Sequence, residues 1–112
     1  MSDDAGRRAT IARLNDHFRF TGEGGWVFLS TGVAAKAVPV KEAIVHAVRH
    51  FDAFPPDNDP HGEHDFGALI AEGLRIVWEI TYYQCDLSNA ASDPADPATT
   101  KRVMAIMLAE EY

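Results

Sequence analysis

The sequence has one cysteine, no long apolar run and no concentration of basic side chains, and each absence excludes a class of protein. Cys85 alone cannot form an internal disulfide, which fits a reducing compartment. No apolar segment approaches the roughly 18 residues that a membrane-spanning helix needs. The first residues lack the charged and then apolar layout of a signal peptide. We therefore expect a cytoplasmic protein without a membrane-spanning segment.

Negative charge is distributed unevenly along the chain. The 112 residues carry a net charge of −7. Residues 52–96 contain ten acidic side chains and Arg75 as their one basic side chain, whereas residues 1–51 have a small positive balance. Binding to the phosphate backbone of a nucleic acid requires clustered lysine and arginine side chains, so direct nucleic-acid binding is disfavoured. The acidic half either meets a basic protein surface or serves solubility.

Hydrophobic patterning predicts an α+β fold in a single small domain that spans residues 1–112. A first helix is expected from about Asp4 to Phe18, and "WVFLSTG" (26–32) reads as a strand. A second helix follows, with Pro39 in its first turn and a buried stripe. The predicted stripe consists of Val40, Ile44, Ala47, Val48 and Phe51.

The second half predicts a β-hairpin and a last helix. Strict alternation on both sides of Glu72-Gly73 indicates two antiparallel strands joined by a two-residue turn, which sets Gly67 opposite Trp78. Asp96 has the chemistry of a helix N-cap, with Pro97 as the first helical residue. The element order α-β-α-β-β-α predicts a three-stranded, mainly antiparallel sheet with helices on one face.

The segment "DNDPHGEHDF", residues 57–66, is densest in side chains that bind metals or protons. One interpretation is a structural turn, fixed by the Asx residues, Pro60 and Gly62. In the predicted register Asp65 enters the strand on the core side opposite Ile80, while His64 points to the outer side. A core-side carboxylate then needs backbone N–H groups or a tyrosine hydroxyl as partners.

Two functional interpretations of this segment stay open beside the structural one. As a metal site, it would use Glu63, His64 and Asp65 as ligands. As part of an acidic binding surface, it would contribute carboxylates together with the loop that follows the hairpin. The candidate partner-binding residues are Asp57, Asp59, Glu63, Asp86 and Asp93.

Further histidines lie on the second helix. His46 and His50 are spaced i and i+4, with Glu42 one turn earlier, so the three line one helix face. They are either additional metal ligands or an ordinary exposed polar face. No glycine-flanked serine, phosphate loop or dinucleotide fingerprint is present in the sequence, which favours a protein that is not an enzyme.

The face of the sheet opposite the helices is the last candidate surface. The hairpin register places five apolar side chains there, interrupted by charged and polar ones. They are Phe66, Ala68, Ile70, Val77 and Tyr83. We expect this face to form a homodimer or to contact a protein partner, or else to be solvated with its apolar residues scattered singly. An exposed Val77 should tolerate lysine.

Three motifs follow one another in the second half of the chain: "NDPHGEHDFG", "WEITYY" and the closing "IMLAEEY". Their order resembles an uncharacterised bacterial family of domains of unknown function, number 3768, and the similarity extends from "LNDHFR" to Tyr112. The matching positions are Asn58, Asp59, Pro60, Gly62, Glu63, His64, Asp65, Phe66, Gly67, Trp78, Ile80, Tyr82 and Tyr83. His61 stands where relatives often have tyrosine, which argues against His61 as a general ligand.

The resemblance implies no particular activity. Members of the family resemble accessory genes of plasmids, phages and other mobile elements, which include anti-restriction and anti-CRISPR proteins. The first functional hypothesis is therefore a small acidic, non-enzymatic binding protein without a cofactor, an anti-defence inhibitor that presents carboxylates to the basic groove of a nucleic-acid-binding partner. The alternative is a small metal-dependent enzyme or metal-binding regulator, with a divalent metal held by residues 63–65.

Overall fold

The computed structural model describes residues 4–87 and 89–112, which form an α+β fold as predicted. These residues contain three helices and four strands. In chain order they are α1 (Asp4–Thr21), β1 (Gly25–Leu29), α2 (Thr31–Ala34), α3 (Val38–Arg49), β2 (Phe66–Ala71), β3 (Leu74–Gln84) and β4 (Thr100–Leu108). Two single 3-10 turns lie at Pro56–Asn58 and Ala109–Glu111.

The four strands form one mixed sheet in the order β1-β4-β3-β2. β3 pairs antiparallel with both β2 and β4, whereas β1 pairs parallel with β4. The expectation of a three-stranded sheet was therefore one strand short, and the parallel pair was missed. The extra strand is β4, which lies between β1 and β3 and brings both halves of the chain into one sheet.

The predicted last helix after Asp96 is wrong, because this part of the chain forms β4. Its apolar residues recur at a spacing that fits either a helix or a strand. In the structure the alternate residues Thr100, Arg102, Met104 and Ile106 are buried. Hydrogen bonding to strands on both sides and β-branched residues favour the extended form. Asp96 instead fixes a turn, in which its carboxylate accepts a hydrogen bond from the Ala98 N–H (3.0 Å).

The hairpin between β2 and β3 has the predicted turn and register. Glu72 and Gly73 both have positive φ, at 53° and 73°, as a type I′ turn requires. Gly67 lies opposite Trp78, as expected. A Cβ atom at position 67 would clash with the Trp78 Nε1, so only glycine leaves room for the indole.

All three helices contribute to a core on one side of the sheet, which we call the inner face. α3 has proline in its first turn, and its Ile44 and Val48 are fully buried, as the predicted stripe requires. α1 and α2 add Phe18 and Val33, and the indole of Trp78 fills the centre. Among the described residues, no helix has the length and apolarity needed to cross a membrane.

The opposite side of the sheet, which we call the outer face, has apolar side chains from all four strands. It consists of Trp26 and Phe28 of β1, Val103, Ala105 and Met107 of β4, Val77 and Tyr83 of β3, and Phe66, Ala68 and Ile70 of β2, together with intervening polar residues. The expectation that Val77 is exposed is wrong. It lies on a central strand between Ala68 and Met107 and is only 6% exposed.

Candidate functional site

The segment 57–66 is a turn that its own side chains hold in place. The Asn58 amide donates to the Ala53 carbonyl (3.0 Å), and the Asp59 carboxylate accepts from the backbone N–H of His64 (3.1 Å). These are the side-chain-to-backbone bonds that Asx residues typically make in turns. Gly62 and His64 have positive φ, at 67° and 55°. The segment thus has the backbone of a structural turn.

His64 lies inside this turn, and the expectation that it points to the outer side is wrong. Side chains alternate between the two faces only from Phe66, where the strand begins, and the positive φ of His64 places this residue outside that pattern. The ring stacks on Phe54 with centroids 3.8 Å apart. Its Nδ1 lies 2.9 Å from the Asp16 carboxylate, and its Nε2 lies 3.6 Å from that of Asp59. The imidazole is therefore held between two carboxylates, and its side chain is 27% exposed.

Arg19 of α1 extends the same contacts into the core. Its Nη2 donates to the Phe51 carbonyl (3.0 Å), and its Nη1 lies 3.1 Å from Asp16. The guanidinium lies 5.1 Å from the Phe54 ring centre and 5.0 Å from that of Trp78. Burial lowers the pKa of Arg19, and the neighbouring Asp16 opposes that shift. Aromatic faces and a carboxylate thus surround the cation, while its buried Nε and Nη1 atoms make no hydrogen bond among the described residues.

A second set of hydrogen bonds is centred on Asn15, which is completely buried. Its Nδ2 donates to the Glu63 carbonyl (2.9 Å) and to the Tyr82 hydroxyl (2.8 Å), and its Oδ1 accepts from Arg102 Nε (2.6 Å). Tyr82 in turn donates to the Glu63 carboxylate (3.0 Å). One amide therefore joins α1, the turn, β3 and β4.

Burial shifts the titrations of this second set. It raises the pKa of Tyr82 and lowers the pKa of Arg102, in both cases through loss of water around the charged form. Arg102 also donates to the Pro94 carbonyl (2.6 Å) and lies over the Tyr82 ring, 5.3 Å from its centre. We call the two sets together the polar cluster: Asn15, Asp16, Arg19, Glu63, His64, Tyr82 and Arg102.

Asp65 lies on the core side opposite Ile80, as predicted, because its carbonyl accepts from the Ile80 N–H (2.8 Å). The expected hydrogen-bond partners of its side chain are only partly present. The Oδ1 atom is buried and has no hydrogen-bond partner among the described residues. Burial accordingly raises the pKa of Asp65. This carboxylate is the least compensated acidic group next to the polar cluster.

Sequence reasoning missed four members of the polar cluster: Asn15, Asp16, Arg19 and Arg102. The three on α1 recur at i, i+1 and i+4, so they share one side of the helix with the turn. A polar triplet beside the apolar Ile11 and Phe18 was the available signal. Arg102 could not be found, since its strand was taken for a helix.

Most of the candidate acidic residues are buried or pair with other groups of the molecule. Asp57 and Asp86 are exposed. Asp59 is only 8% exposed, so its assignment to an exposed binding surface is wrong. The Glu63 carboxylate accepts from Tyr82, and the Asp93 carboxylate pairs with Arg7 at 3.1 Å. These five acids therefore do not form one outward-facing set.

The candidate metal ligands are directed to separate partners. Glu63 contacts Tyr82, His64 contacts Asp16, and Asp65 has a buried, unpaired oxygen. In residues 4–87 and 89–112, no three or more His, Cys, Asp or Glu side chains are grouped so that they could hold a metal ion. The Nε2 atom of His64 lies 3.6 Å from the Asp59 carboxylate, beyond hydrogen-bond distance, and the ring lines a hollow beside α1 together with Asp16 and Gly62.

Unlike the polar cluster, the outer face has aromatic side chains that are exposed to solvent. Trp26 and Phe28 are 52% and 54% exposed and stack with ring centres 6.5 Å apart. Ile70, at the opposite edge of the sheet, is 73% exposed. Part of the face is covered by Tyr112, which contacts the Phe66 ring and donates to the Glu79 carboxylate (3.2 Å). The aromatic pair on β1 lies at the other edge from this contact.

A comparison with protein families gives one match. A family model described as "Protein of unknown function (DUF3768)" matches residues 29–111. The matched region contains β2, β3, β4 and the turn 57–66, whereas α1 and all of β1 except Leu29 precede it. Neither a curated protein nor a solved structure matches the chain. Because the family model covers more than half of the sequence, the chain belongs to the DUF3768 family.

Proposed function

We propose that this protein is a non-enzymatic binding protein that contacts a protein partner through the outer face of its sheet. The observation that carries the proposal is the stacked, half-exposed pair Trp26 and Phe28 on an edge strand. Exposed apolar patches on folded domains mark interaction sites, and aromatic side chains contribute most of the binding energy in many interfaces. The second copy of a homodimer is one form of such a partner.

The polar cluster supports this proposal because most of its polar groups already have partners within the molecule. Its side chains bind one another and the backbone, and the His64 Nδ1 pairs with Asp16 while its Nε2 lies 3.6 Å from Asp59. The alternative of a metal-dependent enzyme or regulator at residues 63–65 therefore finds no support in the geometry of these side chains. The cluster instead has the geometry of a connection between α1 and the sheet.

The resemblance to proteins of mobile elements suggests a host-defence complex as the partner. An inhibitor that imitates nucleic acid would need outward-facing carboxylates, and of the five candidate acids Asp59, Glu63 and Asp93 are engaged within the molecule. We therefore propose that contact with such a complex depends mainly on apolar side chains. Binding should then change little between low and high salt, since screening weakens charge pairs and leaves apolar contacts intact.

Site-specific photocrosslinking tests the proposal in cells of the native host. A photoreactive phenylalanine analogue at Phe28 should give one discrete adduct, and Trp26→Ser in the same chain should abolish it. The matched control places the analogue at Leu87, which is 44% exposed outside the outer face. If light scattering shows a concentration-independent monomer and position 28 gives no adduct beyond that seen at position 87, the proposal is wrong.

A further inference from the structure

A second surface lies along α3, away from both the polar cluster and the outer face. It is a hollow of about 990 Å³ between α3, the end of α1 and the end of β1. That volume is within the range of about 300–1,000 Å³ typical of small-molecule sites. Six of the α3 residues that line it recur at helical spacing and so form one continuous face. They are Val38, Lys41, Glu42, Val45, His46 and Arg49.

The hollow has an apolar and aromatic wall. Phe20 and Val38, which line it, are 55% and 60% exposed. The edge of Phe20 meets the His50 ring at 5.3 Å between centres, and His50 lies 4.2 Å from His46. Three rings thus follow one another along the wall. Large apolar groups of this kind are unfavourable in water, and the free energy is lowered when a ligand covers them.

The charge of the hollow is opposite to that of the whole protein. Lys41 and Arg49 line it together with His46 and His50, and Glu42 is the one acidic side chain among its lining residues. Lys41 also donates to the Ala34 carbonyl (3.3 Å), which uses one of its three N–H groups. In a chain of net charge −7, this surface therefore attracts anions where most of the molecule repels them.

The end of α3 accounts for only part of this arrangement. Basic side chains in a last helical turn interact favourably with the negative end of the helix, and His46 and Arg49 are in that turn. The helix end does not account for Phe20, which belongs to α1, or for Val38, which lies in the first turn of α3, and both side chains are exposed. A ligand with both an apolar part and a negative charge matches both features at once.

We propose that this hollow binds a small amphipathic anion, a molecule with an aliphatic or aromatic body and a single carboxylate or comparable head group. The body would cover Phe20 and Val38, and the head group would meet Arg49. This site is independent of the proposed protein interface on the outer face, so either can fail without the other.

Titration followed by NMR tests the site with two probes of equal chain length, decanoate and decyltrimethylammonium, below their aggregation concentrations. Decanoate should shift the imidazole resonances of His46 and His50 in a saturable way, and the cationic probe should not. Arg49→Gln should weaken decanoate binding about tenfold, the loss expected for one charge-assisted hydrogen bond. Arg13→Gln, an exposed arginine on α1, is the matched control and should leave the affinity unchanged.

Several outcomes would overturn the proposal. Equal shifts with both probes would show binding to apolar surface without charge selection. An unchanged affinity in Arg49→Gln, or loss of the shifts in Phe28→Ser, would place the ligand elsewhere. Binding of phosphatidylglycerol vesicles without saturable binding of free decanoate would identify a membrane surface rather than a small molecule as the partner. A melting transition equal to that of the wild type shows that each variant is folded.

Discussion

Tyr82 and Tyr83 are neighbours in β3, and they face two regions of opposite character. Tyr82 points to the inner face, where its hydroxyl bonds to Asn15 and Glu63 within the polar cluster. Tyr83 points to the outer face, which ends in the half-exposed Trp26 and Phe28. The polar cluster contains Glu63 and His64, two of the residues that look chemically active, and pairs them within the molecule. The outer face contains few of them and presents its apolar groups to solvent.

The difference shows that a dense group of acids and histidines does not by itself identify a binding site. In the polar cluster the charged groups are partners of one another, so they stabilise the position of α1 against the sheet. At the outer face, the exposed aromatic rings are stabilised only when another molecule covers them. The following predictions test this division between a region whose polar groups are mostly paired within the molecule and a region that is open to solvent.

The largest effect is expected when Asn15 is replaced by alanine. The change leaves the buried Arg102 and the Tyr82 hydroxyl without their shared partner. We expect Asn15→Ala to lower the free energy of unfolding by about 3 kcal/mol, because a buried cation loses a hydrogen bond. Urea denaturation measures the loss.

Asn58→Ala provides the matched control. That amide makes one bond to the Ala53 carbonyl at a half-exposed position, so its removal should cost about 1 kcal/mol. Equal losses for the two asparagines would contradict the central place of Asn15 in the polar cluster.

Local patterns predicted much of this fold because they are decided within a few residues. The Glu72-Gly73 turn fixes the register of β2 and β3, and alternation then assigns each side chain to a face. The same reasoning placed Asp65 on the core side. For β4 the local pattern fits a helix and a strand equally well, and the choice depends on β1 and β3, which lie far away in sequence.

The polar cluster was beyond prediction for a related reason. Glu63 and His64 were recognised as unusual, but their partners come from α1, about 48 residues earlier. His64 was assigned to the wrong side because its positive φ suspends the alternation on which the assignment rested. The outer face was predicted from register alone, and Val77 was misjudged because the register does not show how closely neighbouring strands cover a central one.

The next largest effect distinguishes covered from open positions within the outer face. Val77→Lys should lower the free energy of unfolding by about 2 kcal/mol. The position is only 6% exposed, so the lysine side chain must either bend out to solvent or bury its charge. Ile70→Lys, at a position that is 73% exposed, should change it by less than about 0.5 kcal/mol. Thermal and urea unfolding measure both. If both variants are tolerated equally, the outer face is open throughout and its centre is not covered.

A smaller effect concerns the pair of His64 and Asp16. A double-mutant cycle with His64→Gly, which suits the positive φ, and Asp16→Ala isolates their interaction. Because both side chains are partly exposed, we expect a coupling of about 0.5–1 kcal/mol at low salt, which decreases as salt is added. A coupling that is zero at low salt would show that the imidazole is held by Phe54 and the turn alone.

An effect of similar size and opposite sign is expected at Asp65. Burial raises the pKa of Asp65 above its usual value of about 4, so between those two pKa values the folded chain keeps a proton that the unfolded chain has lost. The free energy of unfolding then falls as the pH rises from about 4 through the pKa of the folded state, and the protonated carboxyl is the stable form inside. Asp65→Asn keeps the shape and removes the charge.

We therefore expect Asp65→Asn to raise the free energy of unfolding at neutral pH by up to about 1 kcal/mol, a value reduced because the residue is only half-buried. The gain should disappear below about pH 3, where the wild-type carboxyl is protonated in both states. Urea titrations at a series of pH values measure the difference between the two proteins. If the asparagine variant is less stable than the wild type at neutral pH, the charged carboxylate has a partner that compensates its burial, and the polar cluster extends to Asp65.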